Sequence, residues 1–328
     1  MLARVADSLY WLSRYLERAE NHVRLMEVNL QLLLDFSNLD DEKIKDHWQP
    51  ILKALCDEES FHKLYEKADS LSVTDFLTFS RENPNSIVSC VSGARENARM
   101  IRDQISSEMW ESMNELYLFL RSTNSKKIWK SGVHDFFREI RHHMHAFTGL
   151  THATYPREEA YDFLQVGRYL ERADKTTRII DLKYHILLPS PSDVGGAVDA
   201  AQWMAVLRSC SGLQAYHRLY LESPTPWKMV EFLILSETFP RSLRFCLKEI
   251  NHYLHAISNT PADKPTNDAE RVCGKLLTQL GRCTTDDIFK EGLHEYLDRT
   301  QISLNEIGLA LYRTYMYVPP VPQQNTAA

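Results

Sequence analysis

Arg14-Tyr15-Leu16-Glu17-Arg18-Ala19-Glu20 returns later in the chain as Arg168-Tyr169-Leu170-Glu171-Arg172-Ala173-Asp174. Six of the seven residues are identical, and the seventh keeps its carboxylate. Each copy is followed four residues on by an arginine, Arg24 and Arg178. Around the first copy, Val5, Leu9, Leu12, Leu16, Ala19, Val23, Met26, Leu30 and Leu33 alternate steps of four and three. That spacing predicts one apolar seam on a helix of about nine turns. Arg14, Glu17, Asn21 and Arg24 form a separate polar stripe on the opposite side. In the second copy the seam is Phe163, Val166, Leu170, Ala173, Thr177 and Ile180, and the stripe is Arg168, Glu171, Lys175 and Arg178. A solvated face has no need of identical residues, so the retained stripe is expected to pack against a helix or a ligand.

The repetition extends outward from this stretch. Trp48, Ile51, Leu52 and Lys53 match Trp203, Val206, Leu207 and Arg208 at an offset of 155. Phe61 to Tyr65 matches Tyr216 to Tyr220 at the same offset. Ser80, Pro84, Ser86 and Cys90 match Ser236, Pro240, Ser242 and Cys246 at 156, and Val133 to Phe137 weakly matches Leu293 to Leu297 at 160. A slowly growing offset is what small insertions in a duplicated unit produce. The sequence therefore predicts an all-α, multi-helix bundle of two duplicated halves, about 1–150 and 155–318, related by a pseudo-twofold. They form one domain, 1–318, and 319–328 reads as a disordered tail.

Further helices are expected over about 47–56, 58–67, 83–105 and 133–150, and a final one over about 286–317. Ser72 with Asp75 reads as a capping box, and Ser106 as the cap of a helix ending near Arg121. Pro189 to Gly196 and Asn259 to Asn267 read as irregular loops.

The 328 residues carry a net charge of -6, which points away from nucleic acid and anionic membranes. No apolar run approaches the length of a membrane span, and Met1 to Glu20 lacks the pattern of a signal peptide. Six cysteines without a CxxC pair suit a reduced, cytoplasmic protein.

Two chemical readings of the repeated stretch stand side by side. In one, Arg14–Glu17, Glu20–Arg24 and Asp174–Arg178 are helical ion pairs worth a few tenths of a kcal/mol each when exposed. In the other, Glu17 and Glu171 orient Arg14, Arg18, Arg24, Arg168, Arg172 and Arg178, with Asp174, into a centre for an anionic ligand or peptide. Arg95, Arg99 and Arg102 share one helix face and repel one another, so Arg99 and Arg102 are expected to seek Glu17, Glu171 or a bound anion. Arg241, in the counterpart segment Phe239-Pro240-Arg241-Ser242, joins the same list.

No metal or cofactor is expected. His142, His143 and His145, and the pair His252 and His255, lack an HExxH or Glu-x-x-His companion, and the positions matching the pair are Glu96 and Arg99. His62 and His217 read as packing residues. There is no Gly-rich phosphate loop and no Gly-x-Ser-x-Gly.

These residues carry a family resemblance. Leu9-Tyr10-Trp11 with Ser13 to Glu20, Ala94 to Arg99 with Arg102-Asp103, Ser107 to Glu111, Gly167 to Asp174 and Phe239 to Ser242 together resemble the bacterial alpha-E domain family. The resemblance covers nearly the whole chain. It implies an all-α protein associated with a circularly permuted ATP-grasp ligase and a transglutaminase-like protease, the ligase being fused to the alpha-E region in some members. It further implies ATP-dependent peptide or amino-acid ligation; within that setting the retained Arg/Glu centre and the missing catalytic motifs point to this chain as an accessory subunit that binds the ligase or an anionic or peptide substrate. Two alternatives stay open: a stand-alone enzyme on an amide or anionic small molecule, with Glu17 or Glu171 as acid/base, and a helical interaction scaffold.

Overall fold

The computed structural model describes residues 1–35, 48–185 and 196–318, and these residues form sixteen α-helices and no strand. Up to Thr154 these are α1 (Ala3–Asp35), α2 (Gln49–Ala54), α3 (Glu58–His62), α4 (Ser70–Thr78), α5 (Ile87–Met100), α6 (Ser107–Arg121), α7 (Ser125–Ser131) and α8 (Val133–Thr154). They continue as α9 (Glu159–His185), α10 (Ala197–Ser209), α11 (Leu213–Leu219), α12 (Pro226–Val230), α13 (Leu243–Ser258), α14 (Asp268–Arg282), α15 (Thr285–Glu291) and α16 (Leu293–Leu311). Single π-helical turns prolong α12 over Glu231–Leu235 and α16 over Tyr312–Met316. Among the described residues no helix is long and apolar enough to cross a membrane.

Side-chain caps set half of the helix starts. Ser106 accepts from the Met109 N–H, as its position in the sequence implies. Ser86, Asn124, Thr225, Ser242, Asn267 and Thr284 cap their helices in the same way. The capping box before Phe76 differs from expectation: Asp69 is the cap and Ser72 its reciprocal partner, so the helix starts one turn earlier. The helix expected over 83–105 is shorter, because Ser86 starts it and it ends at Met100. The third helix stops at His62. The long final helix is broken at Gly292, whose φ of 103° no other residue adopts without strain. The expected loop at 189–196 lies, up to residue 195, outside the described residues, as does the tail 319–328; Asn259 to Asn267 is irregular as expected.

α1 and α9 form the centre. α1 packs on α9, α5 and α8, and α9 packs on α13 and α16. α6 covers α5 and α8, while α14 covers α13 and α16. The short helix after each long one crosses over: α2 packs on α9, and α10 on α1. The α1 seam is buried from Leu9 to Leu30, as are Phe163, Val166, Leu170, Ala173 and Ile180 of α9. Each fully buried side chain of this size contributes roughly 1.5–3 kcal/mol.

Candidate functional site

α1 and α9 run side by side in the same direction. Tyr10 and Ser13 meet Gly167, Arg14 meets Glu171, and Asn21 and His22 face Lys175 and Arg178. At Gly167 the backbones nearly touch, since a Cβ there would lie 2.4 Å from the Tyr10 carbonyl oxygen. This closeness turns the polar stripes of the two helices toward each other instead of toward water.

The resulting ionic layer pairs across helices. Glu171, 0% exposed, accepts from Arg14 Nε at 2.7 Å and Arg18 Nε at 2.7 Å, with Lys175 Nζ at 3.8 Å. Glu17, 3% exposed, accepts two bonds from Arg172 at 2.8 Å each and one from Arg241 at 2.9 Å. Glu20 accepts from Arg241 at 2.8 Å and from Arg24. Asp174 accepts from Arg178 at 3.0 Å, with Lys175 at 3.4 Å. Thus the helical pairs Glu20–Arg24 and Asp174–Arg178 form as expected, whereas Arg14 turns from Glu17 to Glu171. The reason is geometric: Glu171 on the facing helix reaches the Arg14 fork, while Glu17 is held by Arg172 and Arg241.

Arg168 sits in the layer without a carboxylate partner among the described residues. Its guanidinium lies 3.0 Å from His152 Nε2 and 3.5 Å from Gln165 Oε1. Arg99 and Arg102 are not brought to the layer at all. Arg99 is 63% exposed at its side chain and pairs with Glu96, while Arg102 stacks over Trp110. Arg99 lies on the last turn of α5 and Arg102 in the turn beyond it, so neither is brought to Glu17 or Glu171. Asn85, which accepts from Arg18 at 2.8 Å, and Tyr10, which accepts from Arg14 at 2.9 Å, were not among the expected site residues. A signal for Asn85 exists in the repeat, because the offset of 156 aligns it with Arg241.

Burial alone pushes the carboxyls of this layer up, but their cationic partners more than offset it. Arg172 and Arg241 hold Glu17 below the ordinary value, and Arg14, Arg18 and Lys175 do the same for Glu171. Glu20 and Asp174 are likewise lowered. His22, buried beside Lys175 and Arg18, is lowered to about 3 and stays neutral. Burial pushes the neighbouring thiols Cys90 and Cys246 up to about 12, so neither is a thiolate nucleophile near neutrality.

These shifts predict acid sensitivity. As pH falls, the unfolded chain takes up protons on the four carboxylates before the folded chain does. Their contribution is therefore complete above about pH 4.5 and is lost as pH falls through the lower folded values. His22 acts earlier, because the unfolded imidazole is protonated below about pH 6.5 while the folded one resists. The urea midpoint is expected to fall gently from about pH 6.5 and steeply below about pH 4.5. A midpoint that stays flat down to about pH 3 contradicts the layer.

Two voids of about 10 Å³ each flank the layer, one beside Glu17, Glu20 and Arg168, the other beside His22, Lys175 and Arg178. Each has room for about one water and none for a substrate. A larger cleft of about 310 Å³ opens at the Arg24 end.

His142 and His143 each lie 3.8 Å from Glu139, and His145 lies 3.6 Å from Glu20. His255 is bound to Thr260 and lies near Glu270. His62 and His217 are exposed, edge-on to Phe61 and Tyr216, rather than packed inside. Among the described residues, Asp181, His294 and Asp298 bring ligand atoms within 4.8 Å of one another. This set is hydrogen-bonded internally, with His294 Nδ1 2.7 Å from Asp181.

Comparison with known proteins places the chain. It belongs to the Alpha-E family, described as "a predicted alpha-helical domain with a conserved ER motif", over residues 1–316. Glu17-Arg18 and Glu171-Arg172 are the Glu-Arg dipeptides of the repeated stretch. The chain is 22% identical over 351 aligned residues to an uncharacterized protein of Mycobacterium bovis and to one of Mycobacterium tuberculosis strain CDC 1551. Each alignment covers 96% of this chain and 37% of the relative, so the chain spans little more than a third of those proteins. No solved structure matches it.

Proposed function

We propose that this Alpha-E domain is an accessory subunit of an ATP-grasp amidoligase system for peptide or amino-acid ligation. Its partners are a circularly permuted ATP-grasp ligase and a transglutaminase-like protease, and its setting is cytoplasmic. One observation carries the accessory role: Glu17 and Glu171, the carboxylates best placed for acid/base work, are each held by two or more cations, and the void beside Glu17 is water-sized. The stand-alone enzyme reading needs a carboxyl kept protonated in a pocket, and here Glu17 and Glu171 are both held ionised. The mycobacterial relatives fit the reading too, since this region forms only part of each longer chain.

In this reading the chain is one domain built from two like halves, about 1–150 and 155–318, related by a pseudo-twofold along α1 and α9. Reciprocal pairing supports the relation. Glu17 meets Arg172, while Arg18, the sequence counterpart of Arg172, meets Glu171, the counterpart of Glu17. Such exchange is the mark of a twofold contact. The Arg/Glu centre then serves as the clasp between halves, and the surface around it meets the ligase or an anionic or peptide substrate.

Co-purification with the ligase, followed by ATP-dependent amide formation with and without this protein, tests the proposal. Co-elution and a several-fold rise in product are expected. A ligase that is fully active alone and unchanged by this protein overturns it.

A further inference from the structure

The ionic layer is richer in cations than in carboxylates. Arg14, Arg18, Arg24, Arg168, Arg172, Lys175, Arg178 and Arg241 face Glu17, Glu20, Glu171 and Asp174. Most of this excess is enclosed. At the Arg24 end it reaches the cleft of about 310 Å³ between α1, α8 and the turn that follows α10. That volume lies at the small end of the range for ligand sites, about 300–1,000 Å³.

Arg24, Glu27, His134, Arg141, Arg208 and Ser211 line the cleft. Three guanidiniums thus share a space with one carboxylate. Arg141 bonds Glu27 through Nη1, leaving the rest of its fork to the cleft. Arg24 bonds Glu20 and Ser211, and Glu20 is shared with Arg241. Arg208 is exposed and has no ion-pair partner among the described residues. Like charges that line one partly enclosed cleft favour a counter-anion.

We infer that this cleft binds a small phosphate-bearing anion, gripped by the Arg141 and Arg208 forks, with Arg24 and the Ser211 hydroxyl at its inner end. A phosphate brings about 1.5–2 negative charges and three acceptor oxygens, which match several converging forks. A single carboxylate brings one charge and two oxygens, and leaves the excess uncompensated. The inference goes beyond the amidoligase reading and is tested without a ligase.

Calorimetric titration of the full chain with inorganic pyrophosphate is expected to give saturable binding at one site, tighter than about 1 mM. Arg208→Glu, an exposed change that leaves the core intact, weakens binding by about tenfold or more, and Arg141→Ala weakens it as well. Arg121→Glu, an exposed position outside the cleft lining, leaves it unchanged. Thermal melts of all variants confirm that they fold. No saturable binding overturns the inference, and so does equal affinity in wild type and Arg208→Glu. Tighter binding of the tricarboxylate tricarballylate than of pyrophosphate overturns the ligand class.

Discussion

Glu171→Gln is expected to destabilise the protein by about 3–5 kcal/mol, because it removes the carboxylate that Arg14 and Arg18 share in a buried layer. Glutamine keeps the shape but turns an acceptor-only group into one that also donates. Its amide hydrogens then face guanidinium donors, and Arg14 and Arg18 are left without their counter-charge. The melting temperature should fall by roughly 4–7 °C. Glu96→Gln is the internal comparison. Glu96 pairs with Arg95 and Arg99, but it is half exposed, so its loss should cost only about 0–1 kcal/mol. A Glu171→Gln cost below about 1 kcal/mol contradicts the buried clasp. Assaying ligase stimulation well below the melting temperature separates the remaining readings. A clasp leaves the stimulation intact in the folded variant, whereas an acid/base carboxyl loses it.

Gly167→Ala is expected to cost about 1–3 kcal/mol even though alanine is the better helix former by about 1 kcal/mol. The new methyl would sit 2.4 Å from the Tyr10 carbonyl oxygen and 2.4 Å from Ser13 Oγ. The serine hydroxyl can turn, but the carbonyl belongs to α1 and moves only with that helix. Pushing α1 from α9 also lengthens the Arg14–Glu171 and Glu17–Arg172 bonds, which depend on that spacing. Gly149 gives the opposite sign. It lies within α8 and a Cβ there meets nothing within 4 Å, so Gly149→Ala should stabilise by roughly 0.5–1 kcal/mol. Chemical denaturation of both variants checks the pair. A stabilised Gly167→Ala would mean that the two helices do not approach at this point.

Much of the helical scaffold is legible in the sequence, for local reasons. The four-three spacing from Val5 to Leu33 describes α1, Ser106 starts α6, and α6 ends at Arg121 as its residues imply. Boundaries shift where one residue has competing local roles. Asp69 takes the cap that Ser72 and Asp75 also resemble, and Gly292 splits a run whose apolar period continues across it. The two small helices at 49–54 and 58–62 are shorter than their pattern, because turns at Leu55 to Asp57 and after His62 end them.

The membership of the ionic layer was largely readable, since the repeated stretch names Arg14, Glu17, Arg18, Arg168, Glu171 and Arg172, and Arg241 follows from a matched segment. The reading failed at Arg99 and Arg102. Their spacing signals a shared face, but α5 ends at Met100, so Arg102 leaves the helix, and where Arg99 points depends on how α5 sits on α1 and α6. Asn85, an uncharged residue in a turn, carried only the faint signal of its offset from Arg241.

From its own residues, the chain determines helices, seams and the two copies of an Arg/Glu stripe, because these follow from contacts between neighbours three and four positions apart. Tertiary structure decides who pairs with whom. Arg14 chooses Glu171 over Glu17, and Glu17 is held by Arg172 and Arg241, because charge–charge and hydrogen-bond energies depend on distance and direction through space. The same approach of α1 and α9 buries the carboxylates, holds them ionised, and leaves the Arg24 end open to a cleft that no spacing in the sequence announces.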